Sequence, residues 1–173
     1  MAGSSEGRDK PGPYADYDPA CLLTPITEGI YLNGGYMEDL IYQSEVAFEL
    51  GAVKDVALSS GYQSHYKDVA GHVFLDIVVS SSPYLKMWQW VKASKDTFSI
   101  LSEENPERMV QHTSGTTFVI YFTPSTLPEL ASFLKRFLLV YGGWVGVEDE
   151  MEIVYNAEDI ETIVQHPFFD PVQ

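Results

Sequence analysis

Two stretches of this chain are apolar on both faces of an extended backbone, which forces them into the interior of a sheet. In 73–79, Val73, Leu75, Ile77 and Val79 alternate while Phe74 and Val78 enrich the opposite face. In 116–123, Phe118, Ile120 and Phe122 share one face, and Val119 and Tyr121 share the other. A strand that keeps no polar face needs cover on both sides. The rest of the fold must supply that cover.

Helical spacing offers several candidates. From Met37 onward, Leu40, Ile41, Ala47 and Phe48 recur with Ser44 on one helical face. Glu38 and Asp39 would oppose the helix dipole, and Gly51 would act as the stop. Val53, Val56 and Ala57 suggest a short helical turn before the Ser59-Ser60-Gly61 break. Ser82-Pro83 reads as an N-cap followed by proline at the first helical position. Tyr84, Trp88, Val91 and Phe98 then form one stripe, flanked by Met87 and Leu101, which predicts a helix from about 83 to 102. Thr126-Leu127-Pro128-Glu129 matches a capping box. Leu127, Leu130, Leu134, Phe137, Leu138 and Tyr141 then line one helical face that Gly142-Gly143 terminates.

Beyond that helix, 144–147 and 152–155 read as short strands around the acidic turn Glu148-Asp149-Glu150, and 157–165 as a short helix closed by Pro167. The last strand pair has the look of an antiparallel hairpin. The expectation is an α+β fold with a mixed, mainly antiparallel sheet and helices packed on it. Residues 1–20, where Pro11, Pro13 and Pro19 alternate with Gly, Tyr and Asp, read as a flexible arm, and 21–173 as a single domain.

Charge limits the functions open to such a fold. The chain carries 10 Lys and Arg against 25 Asp and Glu, a net charge of -15. That excess repels nucleic-acid phosphates and anionic membrane surfaces, so no direct nucleic acid or membrane partner is expected. Cys21 is the single cysteine, which rules out an internal disulfide framework. No apolar run reaches the roughly 18–20 residues that a membrane helix needs. The N-terminus also lacks the apolar stretch of a signal peptide, so a cytoplasmic location is expected.

Catalytic motifs are missing from the sequence. There is no P-loop, dinucleotide fingerprint or nucleophile elbow. His65, His72, His112 and His166 are scattered and lack paired ligand spacing, and the acidic turn lacks the spacing of a calcium loop. Ser80-Ser81-Ser82 follows an apolar strand, but Ser82 is needed as the cap for Pro83 and the other two are ordinary loop residues, while Cys21 has no basic neighbour in sequence. The expectation is a protein that is not an enzyme and uses no cofactor or metal.

What stands out is the distribution of charge. From Phe137 to Gln173 there is no Lys or Arg, while Glu148, Asp149, Glu150, Glu152, Glu158, Asp159, Glu161 and Asp170 supply eight carboxylates. Such a surface attracts a basic protein by long-range steering. Trp144 stands just before the acidic turn, and Trp90 lies off the centre of its predicted stripe. An exposed tryptophan among carboxylates is a typical anchor against Arg or Lys. The expected partner-binding set is therefore Glu148, Asp149, Glu150, Glu152, Glu158, Asp159, Glu161, Trp144 and Trp90.

A small acidic α+β protein of this kind resembles the immunity proteins that neutralise bacterial toxins. The resemblance runs through Leu134-Lys135-Arg136-Phe137, Tyr141-Gly142-Gly143-Trp144-Val145-Gly146, Val154-Tyr155 and Asp159-Ile160. It implies a tight complex with a basic cognate toxin or effector whose active site is covered. Two rival readings stand beside it. One is a phage or plasmid anti-defence protein, including a DNA mimic, and the other is a small hydrolase using carboxylate or serine chemistry.

Overall fold

The computed structural model describes residues 37–80, 85–93, 115–147 and 153–169. Seven strands form one sheet: β1 (Glu38–Ser44), β2 (Gln63–Val69), β3 (His72–Ser80), β4 (Lys86–Lys92), β5 (Thr116–Phe122), β6 (Trp144–Val147) and β7 (Val154–Tyr155). Their order across the sheet is β2-β3-β4-β5-β1-β6-β7, and the neighbours in this order pair antiparallel. Helices α1 (Leu50–Ser59) and α2 (Leu127–Tyr141) complete the fold with 3-10 turns at Ile160–Gln165 and Pro167–Phe169. The chain is an α+β protein built on an antiparallel sheet.

The two strands with apolar residues on both faces lie in that one sheet, and β5 is buried along its whole length. One face carries the row Leu75, Trp90, Ile120, Leu40 and Val147, each opposite the next across the strands. Leu50, Val53 and Ala57 of α1 join it in one core with the apolar stripe of α2 and with Ile160 and Ile163. Leu127, Leu130, Leu134, Phe137 and Leu138 are all buried, in keeping with the helical wheel. The other face holds a smaller buried cluster of Met37, Ile41, Phe74, Met87, Val119 and Tyr121.

Two helices expected from the sequence are strands. Residues 38–44 form β1, and the helix begins at Leu50 and runs through Gly51. Leu40, Ile41 and Tyr42 are all fully buried, Leu40 and Tyr42 in one core and Ile41 in the other. A central strand loses its period-two signature in this way, so the helical match of Leu40 and Ile41 with Ala47 and Phe48 is fortuitous. Likewise 86–92 is β4. Trp88 and Trp90 share the α-covered face, while Met87 and Val91 belong to the other, so the expected Trp88–Val91 stripe is split between faces. The remaining residues of the expected 83–102 helix fall largely outside the described set, as do the arm at 1–20 and Cys21.

The capping box is also replaced. The Thr126 hydroxyl donates to the Thr123 carbonyl at 2.7 Å and accepts the Trp88 indole N–H at 3.0 Å, and it makes no cap bond to α2. Satisfying a buried indole N–H outweighs capping a helix end that the preceding 3-10 turn already closes. At the other end Gly142 and Gly143 have φ of 65° and 93°, and the Gly142 N–H bonds to Leu138 O. The short helix expected at 157–165 is a 3-10 turn over Ile160–Gln165.

Candidate functional site

Of the acidic residues expected to bind a partner, Glu158, Asp159 and Glu161 follow β7, the last strand of the sheet. Glu148, Asp149, Glu150 and Glu152 lie outside the described residues. Of those described, Glu158 is exposed. The Asp159 Oδ1 accepts the Asn156 backbone N–H at 2.6 Å, which fixes the turn leading into the Ile160–Gln165 segment. Glu161 is exposed and receives Lys135 of α2 at 2.5 Å. That ion pair ties the acidic segment to the outer side of α2.

Trp90 is corrected from interface anchor to core. It is 0 % exposed and packs among Tyr42, Phe118, Phe133 and Phe137 with ring centroids 5.3–6.2 Å apart. The strand conformation of β4 turns it toward the α-covered face. Trp144 is half-buried at the start of β6, opposite Gln43, and packs against the second cluster.

Apolar side chains that sequence reasoning did not single out are exposed near these carboxylates. Leu139 and Val140, in the last turn of α2, are 69 % and 67 % exposed. Leu139 lies one helical turn past Lys135, and the exposed Val164 lies one 3-10 turn past Glu161. Each is therefore only about 6 Å along its axis from the Lys135–Glu161 pair. Ile153, preceding β7, is also exposed. Leu139 and Val140 interrupt the otherwise polar outer face of an amphipathic helix, and that interruption is the signal the sequence offered.

A second polar arrangement crosses the other face of the sheet. His65, Asp76, Gln89, Tyr121 and Asp39 stand opposite one another from β2 through β3, β4 and β5 to β1. Asp76 is buried; its Oδ1 accepts Gln89 Nε2 at 2.8 Å, and its Oδ2 lies 3.4 Å from His65 Nε2. His65 keeps 61 % of its side chain exposed. A carboxylate so placed can hold the imidazole in one orientation. Asp76 and Gln89 each interrupt an apolar strand, and a polar residue in such a run calls for a buried partner. That clue was available in Phe74-Leu75-Asp76-Ile77-Val78 and Met87-Trp88-Gln89-Trp90-Val91.

A cleft of about 440 Å³ opens where the start of α1 meets the β2–β3 turn and the end of β4. Tyr66, Val73 and the Glu49–Lys92 ion pair, 2.5 Å long, line it. Among the described residues no group of three or more His, Cys, Asp or Glu side chains converges as a metal site, and no helix is long and apolar enough to cross a membrane. No protein family, curated protein or solved structure matches the chain.

Proposed function

We propose that the protein is a non-enzymatic acidic binding protein of the immunity type, which neutralises a basic toxin or effector by covering its active site. The observation that carries this reading is the company kept by the carboxylates. Glu161 is exposed, and Leu139 and Val164, apolar side chains that also face water, each lie within one turn of its ion pair with Lys135. A surface imitating DNA would space its carboxylates regularly like phosphates and would have little use for exposed leucine and valine. Charge around apolar anchors is instead the anatomy of a protein–protein interface, where the charges speed encounter and the anchors slow release. Trp144, half-buried and next to the same acidic stretch in sequence, adds an aromatic anchor, and the setting is the cytoplasm.

The test uses the intact chain as bait in a lysate of its native host, beside a variant with Glu148, Asp149, Glu150 and Glu152 changed to Lys. The expected result is a basic protein captured by the wild type, lost with the variant, and enzymatically silenced at a one-to-one ratio. Identical captures by both baits, or a captured enzyme that stays fully active when saturated, would overturn the reading.

A further inference from the structure

The opposite edge of the sheet is a different surface, and we propose that β2 docks an extended segment of a second protein that carries carboxylates at alternate positions. This inference does not depend on the acidic-edge reading. β2 ends the strand order, pairing with β3 over all of Gln63–Val69 and with no other described strand. In an antiparallel pair each strand turns only every second residue's N–H and C=O toward its neighbour, so the alternate groups of β2 point outward. Gln63, His65, Tyr66 and Asp68 are exposed and Ser64, Lys67 and Val69 half-buried, so none of its side chains is buried. It contains no proline and no register shift, two devices that commonly blunt such an edge.

Side chains define the chemistry of the incoming strand. Gln63, His65 and Lys67 lie on one face, so the imidazole and the ammonium stand two residues apart. Two residues of extended chain span about 6.6 Å, the spacing that an acidic-x-acidic segment reproduces. On the other face the Tyr66 ring is 46 % exposed, lines the cleft beneath α1 and has Lys54 Nζ 4.7 Å from its centroid. A residue between the two carboxylates would turn toward Tyr66 and favour an apolar side chain. The net charge of -15 opposes an acidic ligand at long range, but screening confines that field to about 8 Å at 0.15 M salt. Main-chain hydrogen bonds would carry the affinity, and His65 with Lys67 would set the register. Self-pairing is disfavoured in the antiparallel registers centred on Lys67 or Asp68, which set Lys67 against Lys67 or Asp68 against Asp68.

Hydrogen exchange on the full chain tests this with a capped hexapeptide that alternates glutamate and valine. The peptide should slow exchange of outward-facing amides within 63–69, and N-methylating its edge-facing amides should abolish the effect. The variant K67E should bind it about threefold more weakly and should bind a lysine–valine peptide better, since a cross-strand attraction becomes a repulsion. Protection confined to other elements, retained binding by the N-methylated peptide, or indifference to K67E would overturn the proposal. So would concentration-dependent protection of β2 without peptide, which would assign the edge to a second copy of this chain.

Discussion

Gly143 and Gly61 both hold a left-handed backbone, yet a methyl group added to each should be felt very differently. At Gly61, φ is 85° and nothing lies within 4 Å of the added carbon, so Gly61→Ala should cost about 1–2 kcal/mol, the price of the conformation alone. At Gly143, φ is 93° and the new carbon would sit 2.0 Å from the Gln43 carbonyl oxygen, so β1 itself would have to move. Gly143→Ala should therefore lower the urea midpoint clearly more than Gly61→Ala, and equal losses would contradict this close approach. Tyr42 reinforces the same junction. Its phenol donates to Gly142 O at 2.8 Å, and burial pushes its ionisation above the ordinary tyrosine range. Elsewhere, Gln89→Ala removes the amide that Asp76 accepts at 2.8 Å and should cost at least about 1.5–3 kcal/mol, the worth of a hydrogen bond to a charge. Adding Asp76→Ala should recover part of that loss, because the buried carboxylate left without its amide is gone as well. Strict additivity in a denaturation cycle would show that the two side chains do not act as a pair.

Element by element, helix α2 was legible because it meets water on one side. The apolar stripe of α2 stood out because Glu129, Ser132 and Arg136 mark its wet face. Leu134→Ala should consequently cost about 2–5 kcal/mol by denaturant unfolding, as deletion of a fully buried side chain does, and unchanged stability would mean that another face of α2 meets the sheet. β3 and β5 were readable because β-branched and aromatic residues fill both their faces. β1 and β4 were not, since they hold Gln43 and Gln89 among their apolar residues and their apolar positions also match a helical spacing. In β4 the decisive clue was Trp88 and Trp90 at a spacing of two, aromatic residues that favour a pleated surface. The candidate site divided in the same way. Its carboxylates could be read from composition, whereas the exposure of Leu139 and the burial of Trp90 depend on which neighbours the sheet brings up. The Asp76–Gln89 pair joins residues 13 apart in sequence, a contact fixed by the register of β3 against β4.

On the scale of the whole molecule, the sheet separates two kinds of edge. The β7 edge leads into a C-terminal stretch without a single Lys or Arg, while the β2 edge presents His65, Lys67 and an open backbone. Six strand spacings of about 4.8 Å hold them roughly 29 Å apart, several screening lengths at physiological salt, so charge on one edge scarcely perturbs the other. The central claim is that the acidic edge steers a basic partner into place. Its most direct measurement is the association rate of the captured partner as a function of ionic strength, taken for the wild type and for the variant with Glu148, Asp149, Glu150 and Glu152 changed to Lys. The account predicts a wild-type rate that falls steeply with salt, and a slower variant whose salt dependence is flattened or inverted while its dissociation rate changes much less. If the folded variant associates at the wild-type rate with the wild-type salt slope, the acidic edge is not where the partner lands.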